Sequence, residues 1–349
     1  MAQLMDVAQN PVTERWAGQP PSQGPEWMAP RNCTPRTNIG FLKSHKCAST
    51  AIQNILFRYG HKHNLHFALP KIGNYFGGGR RSFKAEMVSL SPLNKVKPNI
   101  FAIHTRWDHD EVRPAAATLC LSWCTCCFNS GVRKVMPKDT VYFTIVRKPS
   151  ALFQSLFSYA KLEKRTGLSL EEFVKRVSAD AKRDRGVWGY NQMAWDLGMS
   201  EEQINNLTAA REMVARAEDQ FGLVLVAERM EESLVLLVEY LCWELSDVLV
   251  LRLNSLRSEL KQPLSAATRQ LLQQKLAPDY LVYRHFAEKF ERQVEEFGRT
   301  RMAEAVVRLR ELTALLVDTC CFITKEATKI KGSLRPWSDQ VCVIHHGLT

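Results

Sequence analysis

Lys43-Ser44-His45-Lys46 sets two lysines around a histidine, and Ser49 and Thr50 follow just ahead of an apolar-periodic run. Charges and hydroxyls at that spacing suit an anion. A strand, a hydroxyl- and lysine-bearing turn and a helix N-terminus aim backbone N–H groups and the positive end of a helix dipole at one point. The lysines add full charges, and the phosphate of a nucleotide is the natural guest. The stretch is not a Walker loop, because it lacks G-x-x-x-x-G-K-[ST]. Two further clusters could share the chemistry. His104 and Arg106 follow a short apolar run, and Arg147 ends another, with Ser155 eight residues later. A guanidinium fork and a hydroxyl can converge on one phosphate.

These residues need elements to hold them. Ile39 to Leu42 reads as a short buried strand; Ile52, Ile55, Leu56 and Tyr59, at i, i+3, i+4 and i+7, stripe the helix after it. Ser49 or Thr50 is expected to cap that helix. Asn99 to Ile103 reads as a second strand. His104 then falls outside a strand's carboxyl end, where crevices of open α/β sheets lie, although an isolated histidine there can also be structural. Thr140 to Val146 is β-branched, aromatic-rich and apolar on both faces, as a buried parallel strand should be. Pro149 fits the first turn of a helix whose stripe is Leu152, Phe153, Leu156 and Phe157, leaving Ser155 on another face. Leu223 to Ala227 and Val248 to Leu253 read as further strands around a helix with Leu234, Leu237, Val238 and Leu241 inward. Val282, Phe286, Phe290 and Val294 stripe another helix, and Met302, Val306, Leu309 and Leu316 a long final one. The fold class is α/β, with a central mainly parallel sheet and helices on both faces.

Composition narrows the partners. With 349 residues the chain can bury one large core or two small ones, no linker divides it, and 45% apolar with 24% charged residues describes an ordinary globular protein. A net charge of +11 favours an anionic partner. No segment interleaves aromatics with Lys and Arg, so nucleic acid is not expected. Ten cysteines give no zinc-ribbon spacing. His61, His63 and His66 read as an exposed helix end rather than metal ligands, and Gly77-Gly78-Gly79-Arg80-Arg81 as a flexible basic loop. No metal site is expected. No run reaches the length of a transmembrane helix, and the N-terminus has no basic–apolar–small signal pattern.

Leu42-Lys43-Ser44-His45-Lys46-Cys47-Ala48-Ser49-Thr50-Ala51 resembles the first motif of the galactose 3-O-sulfotransferase family, approximately L-K-T-H-K-T-A-S-S-T. Ala51 stands where that family usually has Thr. His104-Thr105-Arg106-Trp107 resembles N-H-x-R-[FW], with Ile103 in place of the Asn. Arg147-Lys148-Pro149 with Ser155 resembles the sulfotransferase 3′-phosphate motif R-[DN]-P with its later serine, Lys148 replacing Asp or Asn and Gln154 the usual Glu. Further likeness runs through Leu223 to Glu228, Glu232 to Leu237 and Tyr283 to Phe286, so it spans about Cys33 to Cys320. Residues 113–131, with Cys120, Cys124, Cys126 and Cys127, have no counterpart and read as an inserted loop.

The resemblance implies a P-loop-NTPase-like three-layer sandwich over 37–320, after a disordered N-terminal arm (1–36) and before an irregular C-terminal tail (321–349). It implies sulfuryl transfer from 3′-phosphoadenosine 5′-phosphosulfate (PAPS), the co-substrate, to the 3-hydroxyl of a terminal galactose on a glycolipid or glycoprotein glycan, with no metal. His104 would be the general base, as an imidazole that titrates near neutrality can be. Lys46 would stabilise the departing phosphate, and Arg106 would hold the base or steady the sulfuryl oxygens. Lys43, Ser44, Lys46, Ala48, Ser49 and Thr50 would hold the 5′-phosphate, and Arg147 and Ser155 the 3′-phosphate. The resemblance implies a place in the Golgi membrane, through an anchor that this chain is expected to lack. Two other readings are a non-catalytic nucleotide- or glycan-binding relic and a P-loop-type kinase. The kinase would need a Walker lysine–hydroxyl pair and a Mg²⁺ carboxylate, and no convincing pair is present.

Overall fold

The computed structural model describes residues 33–89, 96–108, 131–250, 264–320, 322–326 and 340–344. The chain forms two units, Met1–Thr34 and Pro35–Thr349, and every strand and helix named below belongs to the second. The expected insert at 113–131 and the arm at 1–36 lie almost wholly outside the described residues.

β1 (Ile39–Leu42) leads into α1 (Ser49–Lys62), then β2 (Phe67–Ala68), β3 (Ile100–Phe101), the short α2 (Val132–Val135) and β4 (Val141–Val146). After β4 come α3 (Pro149–Tyr159), α4 (Leu162–Thr166), α5 (Leu170–Arg176), α6 (Gln192–Asp196) and α7 (Leu207–Gln220). β5 (Leu223–Val226) precedes α8 (Met230–Leu241), α9 (Ala266–Lys275), α10 (Ala277–Phe297) and α11 (Arg299–Cys320). β6 (Phe322–Glu326) and β7 (Gln340–Ile344) pair antiparallel, regular structure within the tail expected to be irregular.

The central sheet has the order β2-β3-β1-β4-β5 and every neighbouring pair is parallel. β1 and β5 are buried throughout, which is why they read as unbroken apolar runs. Phe41 and Phe143 stack across the central strands at 4.8 Å. Gly40 is required there, since a Cβ would come within 2.2 Å of the Tyr142 ring. Ile52, Ile55, Leu56 and Tyr59 of α1 are buried as their spacing predicts, as are Leu152, Phe153, Leu156 and Phe157 of α3. On α11 Met302, Val306 and Leu309 are buried, whereas Leu316 is only half-buried.

Two local expectations fail. α1 has no side-chain cap: Ala48, in the left-handed region, is its N-cap, and Ser49 is already helical. The strand expected from Val248 is a 3-10 turn over Leu245–Val248, closed by reciprocal bonds between Glu244 and Asp247; residues 251–253 lie outside the described residues.

β1 lies between β3 and β4, and the chain leaves it toward the β2 edge before returning to β4. That reversal is a topological switch point, the place where an open parallel sheet leaves a crevice beyond its carboxyl ends. Lys43, His104 and Arg147 all lie just past the ends of these strands.

Candidate active site

The 43–48 loop is held from below by its own hydroxyls. Thr144 Oγ1, on β4, donates to the Leu42 carbonyl at 3.0 Å, so Ser44 Oγ is the donor in its 3.2 Å contact with Thr144. Ser49 Oγ donates to the Ser44 carbonyl at 2.5 Å. Both serines, expected at the phosphate, are thus buried and bonded within the loop they shape. Thr50 is half-buried and Ala48 exposed. Lys46 and Ala48 both adopt positive φ, 58° and 59°, a conformation that costs an L-residue about 1–2 kcal/mol and survives only where surroundings impose it.

The loop's cations are close together. Lys43 is buried, and burial followed by the neighbouring Lys46 charge lowers its pKa to about 8. Lys46 Nζ lies 4.0 Å over the Tyr159 ring centroid. Arg147 Nη1 donates to the Lys46 carbonyl at 2.7 Å, which joins the end of β4 to the loop after β1. Ser155 is half-buried on α3, away from that helix's apolar stripe.

His104 docks on the same loop. Its Nδ1–H donates to the Lys43 carbonyl at 2.7 Å. A carbonyl can only accept, so the neutral ring carries its proton on Nδ1 and its lone pair on Nε2. Burial, and then His45 and Lys43, push the His104 pKa well below the ordinary imidazole value. Arg106 points elsewhere. Its guanidinium donates to the carbonyls of Arg80, Gly198 and Met199 at 3.1, 3.2 and 2.8 Å and stacks on Trp195 at 3.9 Å. Those contacts brace the 80 and 198–199 loops.

His45 is 2% exposed, and Asp196 grips it twice: backbone N–H to Oδ2 at 2.6 Å and Nδ1–H to Oδ1 at 2.7 Å. The His45 ring stacks on His104 at 4.2 Å, and Tyr75 lies parallel to both. Among the described residues, buried His45 Nε2 has no hydrogen-bond partner. Among the described residues no three His, Cys, Asp or Glu side chains gather as a metal site would need.

Residues 3–122 and 126–346 match the galactose-3-O-sulfotransferase family model. The chain belongs to the galactose-3-O-sulfotransferase family. Human galactosylceramide sulfotransferase is 33% identical over 324 residues, 86% of this chain and 69% of that protein. Human galactose-3-O-sulfotransferase 3 is 33% identical over 88% of this chain and 70% of its own length. Human galactose-3-O-sulfotransferase 2 is 34% identical over 82% and 68%. Membership in a sulfotransferase family implies a sulfate donor.

Of the residues the family resemblance singled out, Lys43, Lys46, His104 and Arg147 come together around one loop. Ser44 and Ser49 build that loop, and Arg106 braces its neighbours. His45 and Asp196 were not anticipated. His45 lay in plain view within the first motif, but nothing local to Asp196 signals a partner 151 residues away. Asp196 depends in turn on α6, whose first turn donates Met193 and Ala194 N–H to the buried Asp279 carboxylate at 3.2 and 2.9 Å. No described helix is long and apolar enough to cross a membrane.

Proposed function

We propose that this chain transfers a sulfuryl group from PAPS to the 3-hydroxyl of a terminal galactose on a glycolipid or glycoprotein glycan. The observation that supports the reading is the bond from Arg147 to the Lys46 carbonyl, which ties the strand end expected at the 3′-phosphate to the loop expected at the 5′-phosphate, the loop whose Lys43 carbonyl accepts from His104. A donor that carries phosphate on both the 3′- and the 5′-oxygen of its ribose needs two cationic contacts close to each other.

Lys43, Lys46 and backbone N–H groups at Ala48 to Thr50 hold the 5′ end, where the start of α1, without a side-chain cap, presents its first N–H groups to an anion. Ser44 and Ser49 keep that loop in shape. Arg147 and Ser155 hold the 3′-phosphate. The depressed pKa of Lys43 fits this role, because a phosphate supplies the counter-charge that burial denies it.

His104 Nε2 takes the proton of the galactose 3-hydroxyl as that oxygen bonds to sulfur. The bond from sulfur to the bridging phosphate oxygen breaks, and Lys46 neutralises the charge arriving there; 3′,5′-ADP and the sulfated sugar leave. Arg106 fixes the walls around His104. Cys242, which is disulfide-bonded, fits an oxidising compartment, and we place the activity in the Golgi.

The test is transfer of label from radiolabelled PAPS to a β-galactoside. His104→Ala should abolish product while leaving 3′,5′-ADP binding intact. Binding of 3′,5′-ADP by the wild type without any product would make the chain a relic, and metal-dependent ATP turnover would make it a kinase.

A further inference from the structure

We infer that Trp188 and Tyr159 form the platform on which the acceptor galactose lies, with Trp188 as the principal ring. The inference rests on the galactose-sulfating reading above and names the sugar-binding residues of that site.

Trp188 meets the His45 ring edge-to-face at 5.0 Å, and His45 stacks on His104. Tyr159 meets Trp188 at 5.7 Å and carries the Lys46 ammonium over its face. An aromatic surface therefore starts at His45, the ring stacked on the expected base, and ends at the cation expected to take the leaving charge. Tyr159 is 53% exposed and Trp188 half-buried. Large rings left in solvent beside a buried polar cluster have no role in the core, and aromatic walls with a few polar groups are what small-molecule sites are made of.

The platform is rigid. The chain reverses through Arg185 and Gly186, both at positive φ, and Asp184 and Trp188 exchange backbone hydrogen bonds of 2.7 and 3.0 Å across the turn. Arg165 pairs with Asp184, and Arg183 Nε donates to the Val187 carbonyl at 3.0 Å. A ring held this way is ordered before any ligand arrives, which lowers the entropy cost of binding.

The chemistry of galactose matches this surface. Its axial 4-hydroxyl projects to one face and leaves the C–H groups at C3, C4 and C5 as an apolar patch on the other. A ring lying with that patch on an indole sends its equatorial 3-hydroxyl out from the edge, here toward the imidazole pair. Adenine could also stack on an aromatic ring. Trp188, however, meets His45 and through it His104, whereas it is Tyr159 that carries Lys46, the residue whose carbonyl accepts from Arg147.

The decisive experiment compares wild type, Trp188→Ala and Trp188→Phe, each loaded with 3′,5′-ADP. Saturation-transfer NMR with methyl β-galactoside should show the strongest saturation at H3, H4 and H5 in wild type. Trp188→Ala should weaken the galactoside by about tenfold, with Trp188→Phe recovering most of it, and 3′,5′-ADP affinity should stay the same in all three. In turnover the loss should fall on the galactoside KM rather than on kcat. An unchanged galactoside affinity in Trp188→Ala overturns the assignment, and a parallel fall in 3′,5′-ADP affinity assigns the ring to adenine instead. Galactoside binding is read without turnover. A wild type that binds galactoside but transfers no sulfate therefore refutes the enzyme reading and leaves the platform standing.

Discussion

The rings of His45 and His104 lie nearly parallel, 10° apart, with centroids separated by 4.2 Å. Burial, and then the neighbouring His45, hold His104 neutral. A base kept neutral below its ordinary range stays available in mildly acidic solution. Lys43 sets the opposite limit, since its charge is lost as pH rises through about 8. The pH profile of kcat/KM for PAPS should have its acid limb below histidine's usual 6.5 and an alkaline limb near 8. An acid limb at or above 6.5 would remove His104 as the base.

Arg147 should dominate donor affinity. Its 2.7 Å bond to the Lys46 carbonyl aims one arm of the guanidinium at the loop, while the planar fork leaves other N–H groups for phosphate. A charged hydrogen bond contributes about 1.5–3 kcal/mol, so Arg147→Ala should weaken 3′,5′-ADP binding by about 10- to 100-fold. Arg147→Lys should recover only part of that, because an ammonium cannot serve both partners. Calorimetric titration with 3′,5′-ADP measures it; equal affinities would exclude Arg147 from the phosphate site.

Much of the fold was legible in the chain itself, for a reason that also explains what was not. β1, β4 and β5 belong to a sheet covered on both faces, so each announces itself as an apolar run, and the carboxyl-end residues Lys43 and Arg147 follow from them. β2 has two residues, too few for any periodicity to show. Val248 is apolar and buried like a strand residue, yet Glu244 and Asp247 fold it into a 3-10 turn through side-chain bonds that hydropathy does not encode. Ser49 has the residue type of a cap, but the left-handed backbone at Ala48 starts the helix one residue earlier and takes Ser49 into its first turn. The His45–Asp196 pair and the Asp279 carboxylate behind it join distant segments, and local pattern carries no record of such polar contacts.

Asp196 should act on catalysis through His45. Its two oxygens accept from the His45 backbone and ring, and Oδ1 also accepts from Gln192 Nε2 at 3.1 Å. In Asp196→Asn one oxygen becomes a donor, leaving a buried N–H of His45 unmatched at a cost of about 1–3 kcal/mol. The variant should melt earlier and lose at least about tenfold in kcat while its 3′,5′-ADP affinity changes little. Wild-type kcat in Asp196→Asn would show that the grip on His45 does not position the reacting groups.

Asp279 ties stability to pH. Burial raises its pKa from 3.8 to about 7, against the pull of the Ala194 and Met193 N–H groups and of Arg183, with the Asp196 charge adding to the rise. A carboxyl with a folded pKa above its unfolded value binds its proton more tightly when folded. Its contribution is therefore fully present below about pH 4 and is lost as pH rises through about 7. Asp279→Asn cannot titrate and removes that slope. The unfolding free energy of wild type relative to Asp279→Asn should thus fall by a few kcal/mol between about pH 4 and about pH 8, as urea titrations at each pH would measure. A constant difference across that range would mean that the carboxyl stays ionised in the folded protein, its charge met by the start of α6 and by Arg183.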